Sequence, residues 1–145
     1  MTVTKKIITN VLIYTTLFYT FFVIVVVGYW SLFPYRTLEF KDEFFPIHNK
    51  VIEQGGYFQY VSNYCKYISL PASVSRTFVD GIIYTTPATT TDRAVGCHSI
   101  LVGVNVPREL PPGLYHMEVI YQYKVNPIRT ITVKHPSEQF TIVEK

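Results

Sequence analysis

The stretch Gly113–Val125, GLYHMEVIYQYKV, alternates without a break. Tyr115, Met117, Val119, Tyr121 and Tyr123 fall on one set of positions, and Leu114, His116, Glu118, Ile120 and Gln122 on the other. Successive side chains of a strand point to opposite faces, so a two-residue period held over this length predicts a strand with one face in a core. A helix would scatter the same five large residues around its axis and bury them against nothing in common.

Outward from this strand the chain keeps breaking at turn residues. Toward the C-terminus, Asn126-Pro127 marks a turn into IRTITVKHPSEQFTIV, one long strand kinked or split at Pro136, because proline cannot donate to a ladder. Toward the N-terminus, RAVGCHSILVGVNVP reads as a strand that stops at Pro107, and TPATTTDRA as a polar loop. SVSRTFVDGIIYTTP is a strand interrupted at Asp80-Gly81, by a bulge or a tight hairpin. After a turn at Gly55-Gly56, YFQYVSNYCKY puts Phe58, Tyr60, Ser62 and Tyr64 on one face and Tyr57, Gln59, Val61 and Cys65 on the other. Thr37–Lys41 reads as a short first strand. About seven short strands joined by turns, with no crossover helices between them, predict an all-β antiparallel sandwich.

The other end of the chain is of a different kind. Ile7–Trp30 carries no Asp, Glu, Lys, Arg or His. At about 1.5 Å per helical residue it outreaches a hydrocarbon core of roughly 30 Å. Its β-branched and aromatic content would favour strand in water, but backbone in lipid must bond internally, which predicts one N-terminal transmembrane α-helix. Tyr29, Trp30 and Tyr35 stand where an aromatic belt falls, and Lys5 and Lys6 flank the opposite end. Val26 and Gly28 are small enough for signal cleavage before Tyr29, but the apolar run is too long for a signal peptide and lacks A-x-A, so an uncleaved anchor is expected. Thr9, Thr16 and Thr20, with Asn10, form a weakly polar stripe of the kind that pairs helices, or else satisfy themselves locally. The expected layout is a cytoplasmic tail over 1–6, a membrane span over 7–30, a juxtamembrane segment over 31–49 rich in aromatics, and the sandwich over 50–145. The basic N-terminus predicts that the C-terminal domain is extracytoplasmic, periplasmic or extracellular.

The formal charge of +3 misleads as a guide to partners. Lys5 and Lys6 belong to the tail, and the remaining 11 basic residues nearly balance the 10 acidic ones. A nucleic-acid footprint requires clustered basic charge, so no nucleic-acid partner is expected. The two cysteines, Cys65 and Cys97, both fall on the side assigned to the oxidising compartment, where a pair predicts a disulfide. Closing that loop is worth about 3 to 4 kcal/mol in the chain-entropy account.

Chemistry is sparse. Cys97-His98 has the makings of a metal or thiol site, yet adjacent strand residues diverge and no C-x-x-C or H-x₃-H spacing adds ligands. His116 and Glu118 share a face that a half-buried strand turns to water. Asp42-Glu43 and Asp80 have no partner carboxylate at a spacing that fixes a geometry, and neither a phosphate loop nor G-x-S-x-G occurs. The inventory predicts no catalytic residues, no metal, no cofactor and no enzyme. Twelve Tyr and ten Phe exceed what such strands need for packing. Tyr57, Tyr64, Tyr67, Tyr84 and Tyr123 are therefore expected to form a protein-binding surface.

ELPPGLYHMEV, Glu109–Val119, carries a likeness. A proline-glycine turn followed two residues later by a Tyr that opens a core strand resembles the tyrosine corner of immunoglobulin-like domains, here at Tyr115. The resemblance runs in outline from Lys50 to Val143 and implies an immunoglobulin-like sandwich. It departs from antibody domains at Met117, which stands where their second cysteine would be, so their inter-sheet bridge does not carry over. The short basic start, single span and LPPG-x-Y also look similar to small single-pass proteins of tailed bacteriophages, a likeness that implies no activity. Together the features predict a membrane-anchored, non-enzymatic binding or scaffolding protein whose outer domain contacts another envelope or virion component. The alternative is an accessory subunit assembled into a larger membrane complex through its helix.

Overall fold

The computed structural model describes residues 2–145, which divide into two compact units. The first consists of the N-terminal segment through Tyr35 together with residues 126–129. Its helix α1 runs Thr2–Leu32, and within it Lys5–Leu32, 28 residues, is long and apolar enough to cross a membrane. The hydroxyls of Thr9, Thr16 and Thr20 donate to the carbonyl oxygens of Lys5, Leu12 and Thr16, each four residues back at 2.9 Å. The polar stripe is thus spent on its own helix. A helix leaves its last carbonyls without partners, and here side chains from residues 126–129 supply them. Asn126 Nδ2 donates to Trp30 O at 2.8 Å, and Arg129 Nη1 to Ser31 O and Phe33 O at 2.8 and 2.7 Å.

The second unit, residues 36–125 and 130–145, is built of strands. In chain order they are β1 Leu38–Phe40, β2 Val51–Glu53, β3 Tyr57–Lys66, β4 Ala72–Asp80, β5 Ile82–Thr85, β6 Thr89–Thr91, β7 Gly96–Asn105, β8 Gly113–Asn126, β9 Arg129–Pro136 and β10 Phe140–Val143. One sheet has the order β1-β3-β7. The other runs β2-β10-β8-β4-β5, with β6 also on β4 and β9 also on β8. The chain is therefore mostly β, in two sheets that do not close on each other, with one apolar N-terminal helix.

Three expectations need correction. Ten strands replace about seven, because the long segments divide at Gly81 and after Pro136 and the short edge strands carry too few residues to show a period. The stretch that reads as a polar loop contains β6, whose Thr89–Thr91 pairs with Val74, Ser73 and Ala72 of β4. Threonine is polar but β-branched, and the half of β4 that β5 does not cover still offers backbone groups to pair. The sheets are also not wholly antiparallel, since β10 runs parallel to β2 with Ile142 opposite Ile52. Asp80-Gly81 is the tight hairpin, with Gly81 at φ 65°, a conformation that glycine adopts without steric cost.

The face read from Gly113–Val125 is the face that is buried. Tyr115, Met117, Val119, Tyr121 and Tyr123 all lie in the core, as do Phe58, Tyr60 and Tyr64 of β3. Rings from the two sheets meet there: Phe58 and Phe140 lie 5.5 Å apart between centroids, and Tyr64 and Tyr121 6.2 Å. Part of the aromatic-rich segment before β2 joins the same core, with Phe45 stacked on Tyr60 at 4.2 Å. Burying side chains of this size contributes roughly 1.5 to 3 kcal/mol each, which is what holds two short-stranded sheets together.

Candidate functional site

Cys65 and Cys97 are direct partners in the β3–β7 ladder and form a disulfide. The bridge lies within one sheet, and Met117 on β8 is fully buried in the core. His98, beside Cys97, turns the other way, and its Nε2 donates to the Ala94 carbonyl oxygen at 2.9 Å. Tyr115 donates its hydroxyl to the Pro111 carbonyl oxygen at 2.9 Å, a bond back to the turn four residues before it.

The five tyrosines expected at a common surface are not brought together. Tyr64 and Tyr123 are 3% and 1% exposed, because each continues the alternation of a core face. Burial, reinforced by the neighbouring Tyr64 phenol, pushes the Tyr123 phenol up to about 12. Tyr84 lies opposite Phe78 on β5 and packs half-buried against the core. Tyr57 and Tyr67 are 56% and 38% exposed, but Tyr57 opens β3 and Tyr67 follows its last residue, about 33 Å away along the strand. Tyr57 lies across Gly103, where a Cβ would collide with its ring, and accepts from Gln59 Nε2 at 2.9 Å. Tyr67 is held by Arg36, whose guanidinium lies 4.0 Å over its ring, and by Glu39, to which its hydroxyl donates at 3.2 Å.

Two other features concentrate at the open side between the sheets. The first is the free edge of β7. It pairs only with β3, and among the described residues no strand covers its other side. All ten residues lack Lys, Arg, Asp, Glu and Pro, the usual protection of an edge, and Leu101 stands 61% exposed on the outer face.

The second is a cleft of about 260 Å³ between β7 and the β4/β6 edge. Arg76 reaches it from β4, at a position that alternates with the buried Val74 and Phe78 and so belongs to the inner face. The side chain is half-buried and lies against the Tyr60 phenol; its Nε is enclosed and has no hydrogen-bond partner among the described residues. Arg93 and Thr91 stand at the same cleft, with the phenols of Tyr64 and Tyr121, and its lining contains no carboxylate. Burial raises the Tyr60 and Tyr121 phenols, and the Arg76 charge beside them works against that rise in both. Lys66, itself buried, donates from Nζ to the Arg93 carbonyl oxygen at 2.6 Å and fixes the backbone at that end of the cleft. The sequence holds a signal for Arg76: V-S-R-T-F reads apolar, charged, apolar at every second residue of a strand, which puts a cation where the pattern asks for a core side chain.

No protein-family model matches the chain, and no curated protein is similar to it. Among solved structures it resembles the alkylpurine DNA glycosylase AlkC of Pseudomonas fluorescens, bound to DNA containing an abasic-site analogue, at a TM-score of 0.43 and 12% identity. The match covers 72% of this chain and spans 30% of the glycosylase. It corrects one expectation: that neighbour is an enzyme, so the reading of this chain as a non-enzyme, which rested on missing motifs, is withdrawn. A likeness this distant carries no argument for glycosylase chemistry here.

Proposed function

We propose that the chain is a membrane-anchored binding or scaffolding protein, held by α1, whose extracytoplasmic immunoglobulin-like domain contacts another envelope or virion component. The observation that carries this reading is the bare β7 edge, ten uncharged residues whose outward backbone groups can be completed by a strand from a partner. The Cys65–Cys97 bond staples that edge strand to β3 and supports an oxidising location. The Tyr115–Pro111 bond supports the immunoglobulin-like assignment. Assembly through the helix has less support, because the threonine hydroxyls of α1 are already bonded within it.

Photocrosslinking in native membranes tests the proposal. A photoreactive residue at Ser99 or Leu101 is expected to give one discrete adduct that the same probe at Glu109 does not give. Ser99→Lys, which puts a charge on the edge, is expected to abolish it. Adducts of equal yield from all three positions, or none from β7, count against the edge. If replacing Ile7–Trp30 by an unrelated apolar helix removes the β7 adduct, the helix and not the edge drives assembly.

A further inference from the structure

From the cleft we infer that this domain binds a small organic oxyanion, a carboxylate or phosphate head on an apolar body, between Arg76 and Arg93. This goes beyond the strand-edge reading and does not depend on it. Arginine is always charged, and its planar fork is shaped for a carboxylate or phosphate. A guanidinium drawn partly out of water on an inner face is normally matched by a carboxylate. Yet Arg76 has no acidic partner among the described residues, and its Nε points at no acceptor. The acidic residue next to Arg93 in sequence, Asp92, lies instead 3.9 Å from Lys66 Nζ. A half-buried arginine beside the Tyr60 phenol and an exposed one therefore face one cleft whose lining supplies no carboxylate.

The surroundings define the class of ligand. At about 260 Å³ the space lies just below the usual range for small-molecule sites and far below what a folded segment would need. Ile100 and Val102 of β7 form one wall, which suits an apolar body, while Thr91 and the Tyr64 and Tyr121 phenols bring hydroxyls to the arginine side. The Lys66 bond to the Arg93 carbonyl keeps the second arginine at the mouth without using its guanidinium.

The test uses the full chain in discs of neutral phosphatidylcholine, titrated with phenyl phosphate and benzoate, with benzylamine as the cationic control. The side-chain Nε–H resonance of Arg76 reports directly on the unpartnered atom. A saturable shift with either anion and none with benzylamine is expected. Arg93→Gln removes a charged hydrogen-bond donor and is expected to weaken binding about tenfold or more, and Arg76→Gln to abolish it. Should Arg76→Gln fail to fold, Arg93→Gln decides. A shift that appears only when the discs are doped with phosphatidylglycerol still assigns an oxyanion site and makes a lipid headgroup its source. No saturable shift with any of these anions, or an affinity unchanged in Arg93→Gln, overturns the inference. Loss of the β7 crosslink with anion binding intact would sink the edge reading alone.

Discussion

The Tyr115 hydroxyl donates to the Pro111 carbonyl oxygen at 2.9 Å, so the start of β8 is tied back to the Pro-Pro-Gly segment that launches it. Tyr115 is buried in the core cluster, with the Asp80 carboxylate near its phenol, and its ring is held by that packing whether or not the hydroxyl is present. Tyr115→Phe therefore removes one hydrogen bond and leaves an acceptor unpaired, at a cost of about 1 kcal/mol. Urea unfolding of the full chain in detergent checks this through the midpoint. A midpoint equal to wild type would mean that water replaces the bond at no cost.

Cys65 and Cys97 are 32 residues apart in sequence and directly opposed in the ladder. The bond shortens the unfolded chain's reach and also pins β7, whose other edge is bare. Reduction, or the Cys65→Ser, Cys97→Ser pair, is expected to cost about 3 to 4 kcal/mol. Mass spectrometry after thiol labelling of the untreated protein is expected to find both cysteines blocked, and both labelled after reduction. Labelling without reductant would remove the bond and with it the argument for an oxidising location.

Met117 lies on β8, pairs with Phe78, and is fully buried. Its side chain contributes packing there. Met117→Ala opens a cavity between the sheets and is expected to cost about 2 to 5 kcal/mol. Met117→Leu conserves volume and is expected to cost under about 1.5 kcal/mol. Equal losses from the two variants would show that shape rather than filled volume limits this part of the core.

Two-residue alternation makes β8 and the two faces of β3 legible in the amino-acid sequence, β7 is legible as a strand that stops before Pro107, and the face of β8 that the alternation marks for the core is the buried one. What the sequence hides is long-range or compositional. The parallel pairing of β10 with β2 joins the end of the chain to residues far from it, and no local pattern specifies it. Thr89–Thr91 resembles loop because the polarity of threonine masks its β-branching. A surplus of aromatics points Tyr64 and Tyr123 to a surface, although their own alternation puts them inside. Counting measures a surplus but cannot say which members are surplus. Arg76 belongs to no charge cluster and no motif; its signal is a single cation in an apolar register, and that signal becomes specific only once the inner face of β4 is known.

His135 is buried, with its ring stacked on Phe40 at 3.8 Å, and its Nε2 donates to the Asp42 carbonyl oxygen at 2.9 Å. Burial lowers its pKa from the ordinary value near 6.5, and the bond to the Asp42 backbone and the Asp42 carboxylate offset only part of that. A base whose folded pKa is depressed is held neutral by the fold, so the unfolded chain binds more protons as the pH drops. The stability this supplies is complete above about pH 6.5 and is lost as the pH falls through the lower folded value. His135→Gln keeps a donor for the Asp42 carbonyl but cannot titrate. Its unfolding free energy is therefore expected to fall less than that of wild type between neutral and mildly acidic pH. The difference between the two proteins, rather than either curve alone, is the quantity to measure, since His48, His98 and His116 are common to both. Parallel curves for wild type and variant would mean that His135 takes up its proton in the fold as readily as in the unfolded chain, and that its burial against Phe40 does not discriminate between charge states.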